Sequence, residues 1–459
     1  MNALPEPILD ARPEFVALYK AAWAIAHRKV KRGTPENDLA PEFIGEAFSN
    51  HLFQWDTCLM ALFARHAPDY LPAYPALDNF YNRQHADGFI CRELIEKDGS
   101  DYFDKESDQS VNPPLFAWAE LGFAQVTGDL AHARKALPAL ARYFTWLKEN
   151  RRARSGLYWQ SNLGSGMDNS PRDAEGWVDL TAQQAHAAEC IAVLASRLGE
   201  MDLAQRFRRE RSAILRTLNE RCWSDADGFY WDTFPSGRHS LQKTVAAFWP
   251  MLAGAPDPGQ AAALVAHLTN PREFDRPHLF PALAADHQAY EARGFYWLGG
   301  VWSPTNYMIA KGLERYGYDG LARSASENHL THVHKVWEDT GTIWENYAPE
   351  FSERGEKARP DFVGWGGLGP IALLIETVIG IRQDALAGTI TWNLRGPDER
   401  YGARDLRFGA ALVDLVAEGG QLQIESPAPF TLVALRDGVR QVYPIKAGVT
   451  VLDADGQRA

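Results

Sequence analysis

VDLTAQQAHAAECIAVLASRLGEMDLAQRFRRERSAILRTLNERC, residues 178–222, reads as two amphipathic helices on either side of a short link at Gly199. Apolar residues recur at helical spacing on both sides of the link, with polar residues on the opposite faces. Two antiparallel helices joined by so short a turn form an αα-hairpin. The same signature returns in GFAQVTGDLAHARKALP (122–138) and ERYGYDGLARSASE (314–327). From Glu14 to about Gln383 the helical pattern dominates and gives about twelve helices. Six hairpins in succession can close into a ring. A solenoid would need a fixed repeat of similar sequence, and none is found.

Outward from the hairpins, the links between pairs are long and aromatic-rich: residues 82–112, 155–176, 271–300 and 338–367. Connections of this length are uncommon unless they carry a function such as lining a site. After about Ala385 the pattern becomes short β-rich runs, TITWNL, ALVDLVAEGGQLQIES, PFTLVALRDGVRQVYPI and GVTVLDADG, separated by Gly and Asp turns. The sequence therefore predicts a helical body over residues 1–384 and a small β-sandwich-like domain over 385–459, the latter supporting structure rather than chemistry.

The 459 residues carry 47 Lys plus Arg and 59 Asp plus Glu, a formal charge of −12. At roughly 150 residues per domain the length would suggest about three domains, a count that one large helical domain easily breaks. With 46% hydrophobic and 23% charged residues the chain has ample material for a core. No basic stripe or tail offers a nucleic-acid partner its electrostatic footprint. GPIALLIETVIGI (369–381) is the most membrane-like stretch, but it is short of the ~20 apolar residues a span needs and contains Glu376. MNALPEPILDARPEF lacks the basic and apolar regions of a secretory signal. Cys58, Cys91, Cys190 and Cys222 form no CxxC pair and are read as free, mostly buried thiols. A cytoplasmic location is expected, with no membrane partner.

Fifteen tryptophans include several beside carboxylates, amides or glycines in loops and at helix starts: Trp55-Asp56, Trp159-Gln160, Tyr296-Trp297, Trp302 and Trp344-Glu345-Asn346. Indole faces flanked by polar groups suit sugar rings, which stack on C–H faces and hydrogen-bond at their edges. A large core would use the same tryptophans, so the loop placement carries the argument. Two segments could hold acid–base groups. GSGMDNSPRD places Asp168 on a Gly-rich loop beside Asn169, and TGTIWENYAPE places Glu345 after the apolar pair Ile343-Trp344. Glycoside hydrolysis needs one carboxyl kept protonated for the leaving oxygen and a second, ionised, to activate water or attack. Either acid alone also reads as a solvated loop carboxylate.

Other motifs are set aside. Gly364-Trp365-Gly366-Gly367-Leu368-Gly369 spells G-x-G-x-x-G, but no strand precedes it in a βαβ unit. His332 and His334, two apart on a predicted helix, point to different faces. Ser165 in G-S-G is no nucleophile elbow.

In chain order, Trp55-Asp56-Thr57, Gln84 with Asp87-Gly88-Phe89-Ile90, Asn112-Pro113-Pro114, Gly166-Met167-Asp168-Asn169-Ser170-Pro171-Arg172 and Val178-Asp179-Leu180 resemble blocks of glycoside hydrolase family 63. Asp227-Gly228-Phe229-Tyr230, Phe295-Tyr296-Trp297, Gly300-Val301-Trp302-Ser303-Pro304-Thr305-Asn306-Tyr307 and Trp344-Glu345 continue the match, which spans about residues 50–380. The likeness includes bacterial mannosylglycerate and glucosylglycerate hydrolases and α-glucosidases, with trehalases more distant. The resemblance implies a mainly α fold, an (α/α)6 barrel, and an inverting exo-acting hydrolase of a small α-linked glucoside or mannoside. By it Asp168 maps to the general acid and Glu345 to the general base. Trp55, Asp56, Asn112, Asn169, Arg172, Trp297, Trp302 and Trp365 map to substrate binding, a small carbohydrate is the partner, and no metal or organic cofactor is required. Two departures bear on specificity: Leu298-Gly299-Gly300 stands where relatives commonly have Arg-Gly-Pro, and Asn112 where they often have Gln. A glycerate carboxylate would need a cation, for which Arg172, Arg293 and Lys357 are candidates. A sugar isomerase or epimerase on the same barrel, and a non-catalytic sugar binder, are the rival readings. The first typically leans on histidine, whereas the blocks here centre on carboxylates.

Overall fold

The computed structural model describes residues 4–45, 49–396, 398–436 and 438–453. Its helices in chain order are α1 (Pro13–His27), α2 (Gln54–Ala64), α3 (Ala73–Tyr81), α4 (Phe116–Thr127), α5 (Ala131–Asn150) and the single turn α6 (Asn162–Ser165). They continue with α7 (Val178–Arg197), α8 (Met201–Cys222), α9 (Trp249–Ala253), α10 (Pro258–Leu268), α11 (Ser303–Arg315), α12 (Asp319–Thr340) and a closing helical segment, Trp365–Val378. The hairpin that opened the sequence forms as α7 and α8. Gly199 turns the chain between them at φ 83°, a left-handed value that a residue with a Cβ adopts at a cost.

Two kinds of helix alternate. α2 is buried along all 11 of its residues, and α7 along most of its length. α8 instead buries only Ala204, Phe207, Ile214, Leu218 and Cys222, the single stripe of an outer helix. The inner helices α2, α4, α7, α9, α11 and the closing segment pack in that order, each against the next and the last against the first. α10 starts cleanly because the Asp257 side chain accepts from Gln260 N–H while the Gln260 side chain accepts from Asp257 N–H, a reciprocal cap.

Two expected helices take other forms. SLQKTVAAFWPMLAG makes only a 3-10 turn (Val245–Phe248) and the five-residue α9, because Pro250 has no N–H to continue an earlier helix and fits the first turn of a new one. GPIALLIETVIGI lacks an exposed face. It winds as a π-helix, Gly369–Val378, with every residue buried, and Ile379 N–H reaches back five residues to Leu374 O at 2.8 Å.

The C-terminal region is strand-rich, in two sheets. One holds, in spatial order, Glu6–Leu9, Tyr401–Phe408, Ala411–Glu418, Gln421–Ser426 and Gly448–Asp453, with all pairs antiparallel. The other holds Val439–Ile445, Phe430–Arg436, Thr389–Asn393 and Ile381–Asp384, with a parallel central pair. Each sheet therefore takes one strand from before the expected division at residues 384 and 385. Glu6–Leu9 joins the first sheet from the far end of the chain, and Ile381–Asp384 edges the second. All four cysteines are free and buried. No helix among the described residues is long and apolar enough to cross a membrane.

Candidate active site

The starts of α2 and the closing segment meet all four long links at one end of the ring, around a recess of about 150 Å³. Phe53, Trp55 and Asp56 come from the start of α2, Arg92 and Asn112 from the first link, and Leu163, Gly166 and Asp168 from the second. Tyr296 comes from the third link, and Glu345, Arg359 and Trp365 from the last. Gly166 is required where it stands. Its φ is 76°, and a Cβ there would lie 2.4 Å from the indole of Trp55, so the loop carrying the acid could not close over the aromatic wall.

The two carboxyls differ in surroundings. Asp168 opens onto the solvent of the recess while protein rings it on most sides. Desolvation pushes its carboxyl up to about 6 against the pull of the Arg92 guanidinium, and the negative Glu345 pushes the same way. Among the described residues no side chain donates a hydrogen bond to it. Glu345 is 1% exposed and held on both oxygens. The Tyr296 hydroxyl and the Arg359 guanidinium donate to Oε1 at 3.0 and 3.1 Å, and the Arg359 backbone N–H donates to Oε2 at 3.1 Å. Burial raises its pKa, opposed chiefly by Arg359, whose side chain is 47% exposed. Trp365 Nε1–H donates to the Glu345 carbonyl at 3.0 Å, tying the aromatic wall to the segment that carries Glu345.

Of the residues expected at the site, Trp55, Asp56, Asn112, Asp168, Glu345 and Trp365 line the recess. Four do not. Trp297 and Trp302 stack on each other, 3.9 Å apart and 6° from parallel, behind Trp55 and Trp365, which meet them at 6.3 and 5.6 Å. Asn169 faces the third link, accepting from Trp297 N–H at 2.8 Å and donating to Phe295 O at 3.2 Å. Arg172 is closed into a buried triad with Asp179 at 2.6 Å and Asp232 at 2.7 Å, beneath the ring of Trp177. That triad fixes the far end of the acid loop to the start of α7. Arg293 pairs with Glu353 at the surface, and Lys357 lies over Phe295. The cations that do line the recess are Arg92 and Arg359, and neither spacing nor motif pointed to them. Arg359 follows Glu345 by fourteen positions in a stretch rich in charge, and Arg92 sits after the apolar pair Ile90-Cys91. His332 stacks on His278 and donates toward Pro277 O, while His334 packs near Trp337, so the two diverge as their spacing predicts.

The family described as "Mannosylglycerate hydrolase MGH1-like glycoside hydrolase domain" matches residues 49–363. An uncharacterized protein of Borreliella burgdorferi is 27% identical over 360 residues, covering 75% of each chain. The mannosylglycerate hydrolase of Rubrobacter radiotolerans is 24% identical over 364 residues, covering 59% of this chain and 80% of that one. In fold, the chain is similar to the GH63 mannosylglycerate hydrolase of Thermus thermophilus in complex with glucose: TM-score 0.63 at 23% identity, over 77% of this chain and 99% of that one.

Proposed function

Because the chain belongs to the mannosylglycerate hydrolase MGH1-like glycoside hydrolase family, we propose that it is an inverting, exo-acting hydrolase of a small α-linked glucoside or mannoside. The fold assigned to it is an (α/α)6 barrel, a reading supported by the cyclic packing of six inner helices. The strand-rich residues after 384 form its supporting domain. The observation that carries the activity is a pair of carboxyls in one small recess that are held differently. Burial raises both, but Asp168, among the described residues, receives no side-chain donor, whereas Glu345 receives three hydrogen bonds that favour the ionised form.

In this reading Asp168 gives its proton to the glycosidic oxygen as the bond to the anomeric carbon breaks. Glu345 takes a proton from the water that attacks the opposite face, and inversion requires roughly 6.5–9.5 Å between the two carboxyls to admit it. Trp55 and Trp365 hold the sugar face, Asp56 and Asn112 bind hydroxyls, and the Trp297–Trp302 stack backs the wall. Asn169 and Arg172 fix the acid loop from behind. Arg92 and Arg359 are the cations an acidic aglycone such as glycerate would meet.

The test is product release from mannosylglycerate, glucosylglycerate, kojibiose, nigerose and trehalose, followed by NMR of the anomeric proton. A β-anomer appearing first from an α-substrate is the expected result. An α-anomer first would overturn inversion, and full activity in Asp168→Asn and Glu345→Gln would remove both residues from the chemistry.

A further inference from the structure

Acid and base lie on segments far apart in the chain, and one tight turn touches both. On one side of that turn the Asn169 amide, next to Asp168, grips Trp297 N–H and Phe295 O. Tyr296 lies between those two anchored positions, and its hydroxyl reaches Glu345 Oε1 at 3.0 Å. Its backbone sits at φ 57°, a left-handed conformation that costs a bulky residue energy and persists only where the surroundings enforce it. Here they do: Tyr296 N–H donates to Gly294 O at 2.7 Å, and Gly300 N–H donates to Tyr296 O at 2.9 Å.

We infer that the 295–297 turn is the spacer of the catalytic pair, with Asn169 and Tyr296 as positioning residues that set where the Glu345 carboxylate stands relative to the Asp168 loop. The inference rests on the hydrolase reading above. Inversion requires a gap that admits one water, and a misplacement of about 1 Å costs on the order of 100-fold in rate. A helical core alone would not fix that gap, because both carboxyls stand on loops. The strained turn, clamped to one loop by an amide and to the other carboxyl by a phenol, does so. The phenol has a second effect. A hydrogen bond to the ionised carboxylate favours that form, so its removal raises the pH at which Glu345 becomes a competent base.

The test compares Tyr296→Phe and Asn169→Ala with the wild type on mannosylglycerate and glucosylglycerate, and on α-mannosyl and α-glucosyl fluoride, whose fluoride leaves without a general acid. Tyr296→Phe is expected to lower kcat about 10- to 100-fold on both kinds of probe, with KM held within about threefold. It should also move the acidic limb of the pH profile to higher pH. Asn169→Ala is expected to lose kcat on both as well, since it misplaces the base and not only the acid. An unmoved acidic limb in Tyr296→Phe, or a loss matched by lost thermal stability, overturns the spacer. If Asn169→Ala does not fold, Tyr296→Phe decides alone, because it keeps the ring and removes one oxygen. If Glu345→Gln is inactive while Tyr296→Phe behaves as wild type, only the spacer fails. If the wild type turns over none of the probes, or Glu345→Gln is fully active, the hydrolase reading fails and takes the spacer with it.

Discussion

Glu345 and Glu376 are both buried, ion-paired glutamates, one at each end of the helical ring, yet they are held in opposite ways. α2 runs from Trp55 and Asp56 at the recess to the neighbourhood of Arg65 and His66 at the other end, and the closing segment runs from Trp365 to Glu376. Arg65 and His66 donate to one oxygen of Glu376 at 2.6 and 2.8 Å, and at the other Tyr307 donates at 3.0 Å and Lys311 forms an ion pair at 2.9 Å. Burial alone would raise its pKa. The Arg65 and Lys311 charges overcome that and hold it well below the usual carboxylate range. Glu345 has one guanidinium, half open to water, and for it burial wins. What separates a structural carboxylate from one that can exchange protons is therefore the number and burial of the cations around it, not burial of the acid itself.

The sharpest way to break that contrast is a pair of isosteric substitutions. Glu345→Gln should lower kcat about 10²–10⁴-fold with little change in melting temperature, and Glu376→Gln should do the reverse. Removing the Glu376 charge strands Arg65 and Lys311 in the interior and is expected to cost about 3–5 kcal/mol in a denaturant titration, with kcat per folded molecule retained. Arg172→Ala should cost a similar amount by stranding Asp179 and Asp232, and it should also slow turnover because the acid loop loses its anchor.

The pH profile sharpens the comparison further. With Asp168 required protonated, kcat/KM should fall on the basic side near pH 6, while the acidic limb, set by Glu345, lies above 4.5. Stability should respond with opposite signs at the two ends. Glu376, with its folded pKa depressed, contributes stability that is present above its ordinary 4.5 and lost as pH falls through the lowered value. Asp168 is raised, so the native state binds more protons between 3.8 and about 6, and stability declines as pH rises across that window. The smallest effect follows: Asp168→Asn should melt about 1 °C higher than wild type at pH 7, a gap that closes by pH 4.

Helices and their pairing were legible because burial imposes a 3.6-residue period that a single sequence displays. The place of Asp168 and Glu345 in the recess was legible as well, because each sits in a local context of glycines or indoles. Arg92 and Arg359 were not, since a cation's place in a recess depends on where distant loops converge and leaves no period or motif. The same holds for Arg172. Its neighbours in sequence suggest a loop cation, and only the fold brings Asp232 to it across sixty positions. The indoles of Trp297 and Trp302 carry the polar neighbours of a binding wall but lie one layer behind it. Sequence neighbours cannot distinguish first layer from second. The π-helix was hidden because a wholly apolar run shows no face from which to read a period.

The strand Glu6–Leu9 has a consequence for how the chain is made. It lies at the edge of the five-stranded sheet, with Glu6 opposite Arg404, so the strand it pairs with emerges from the ribosome about 400 residues later. The ring of helices can assemble during that interval, and a segment synthesised before it is among the last to be fastened. Until then, the backbone edge of Tyr401–Phe408 is a template for any extended chain, including the same strand of a neighbouring molecule. Vectorial synthesis thus leaves this enzyme a late, self-complementary seam, and crowding of nascent chains would be felt there first.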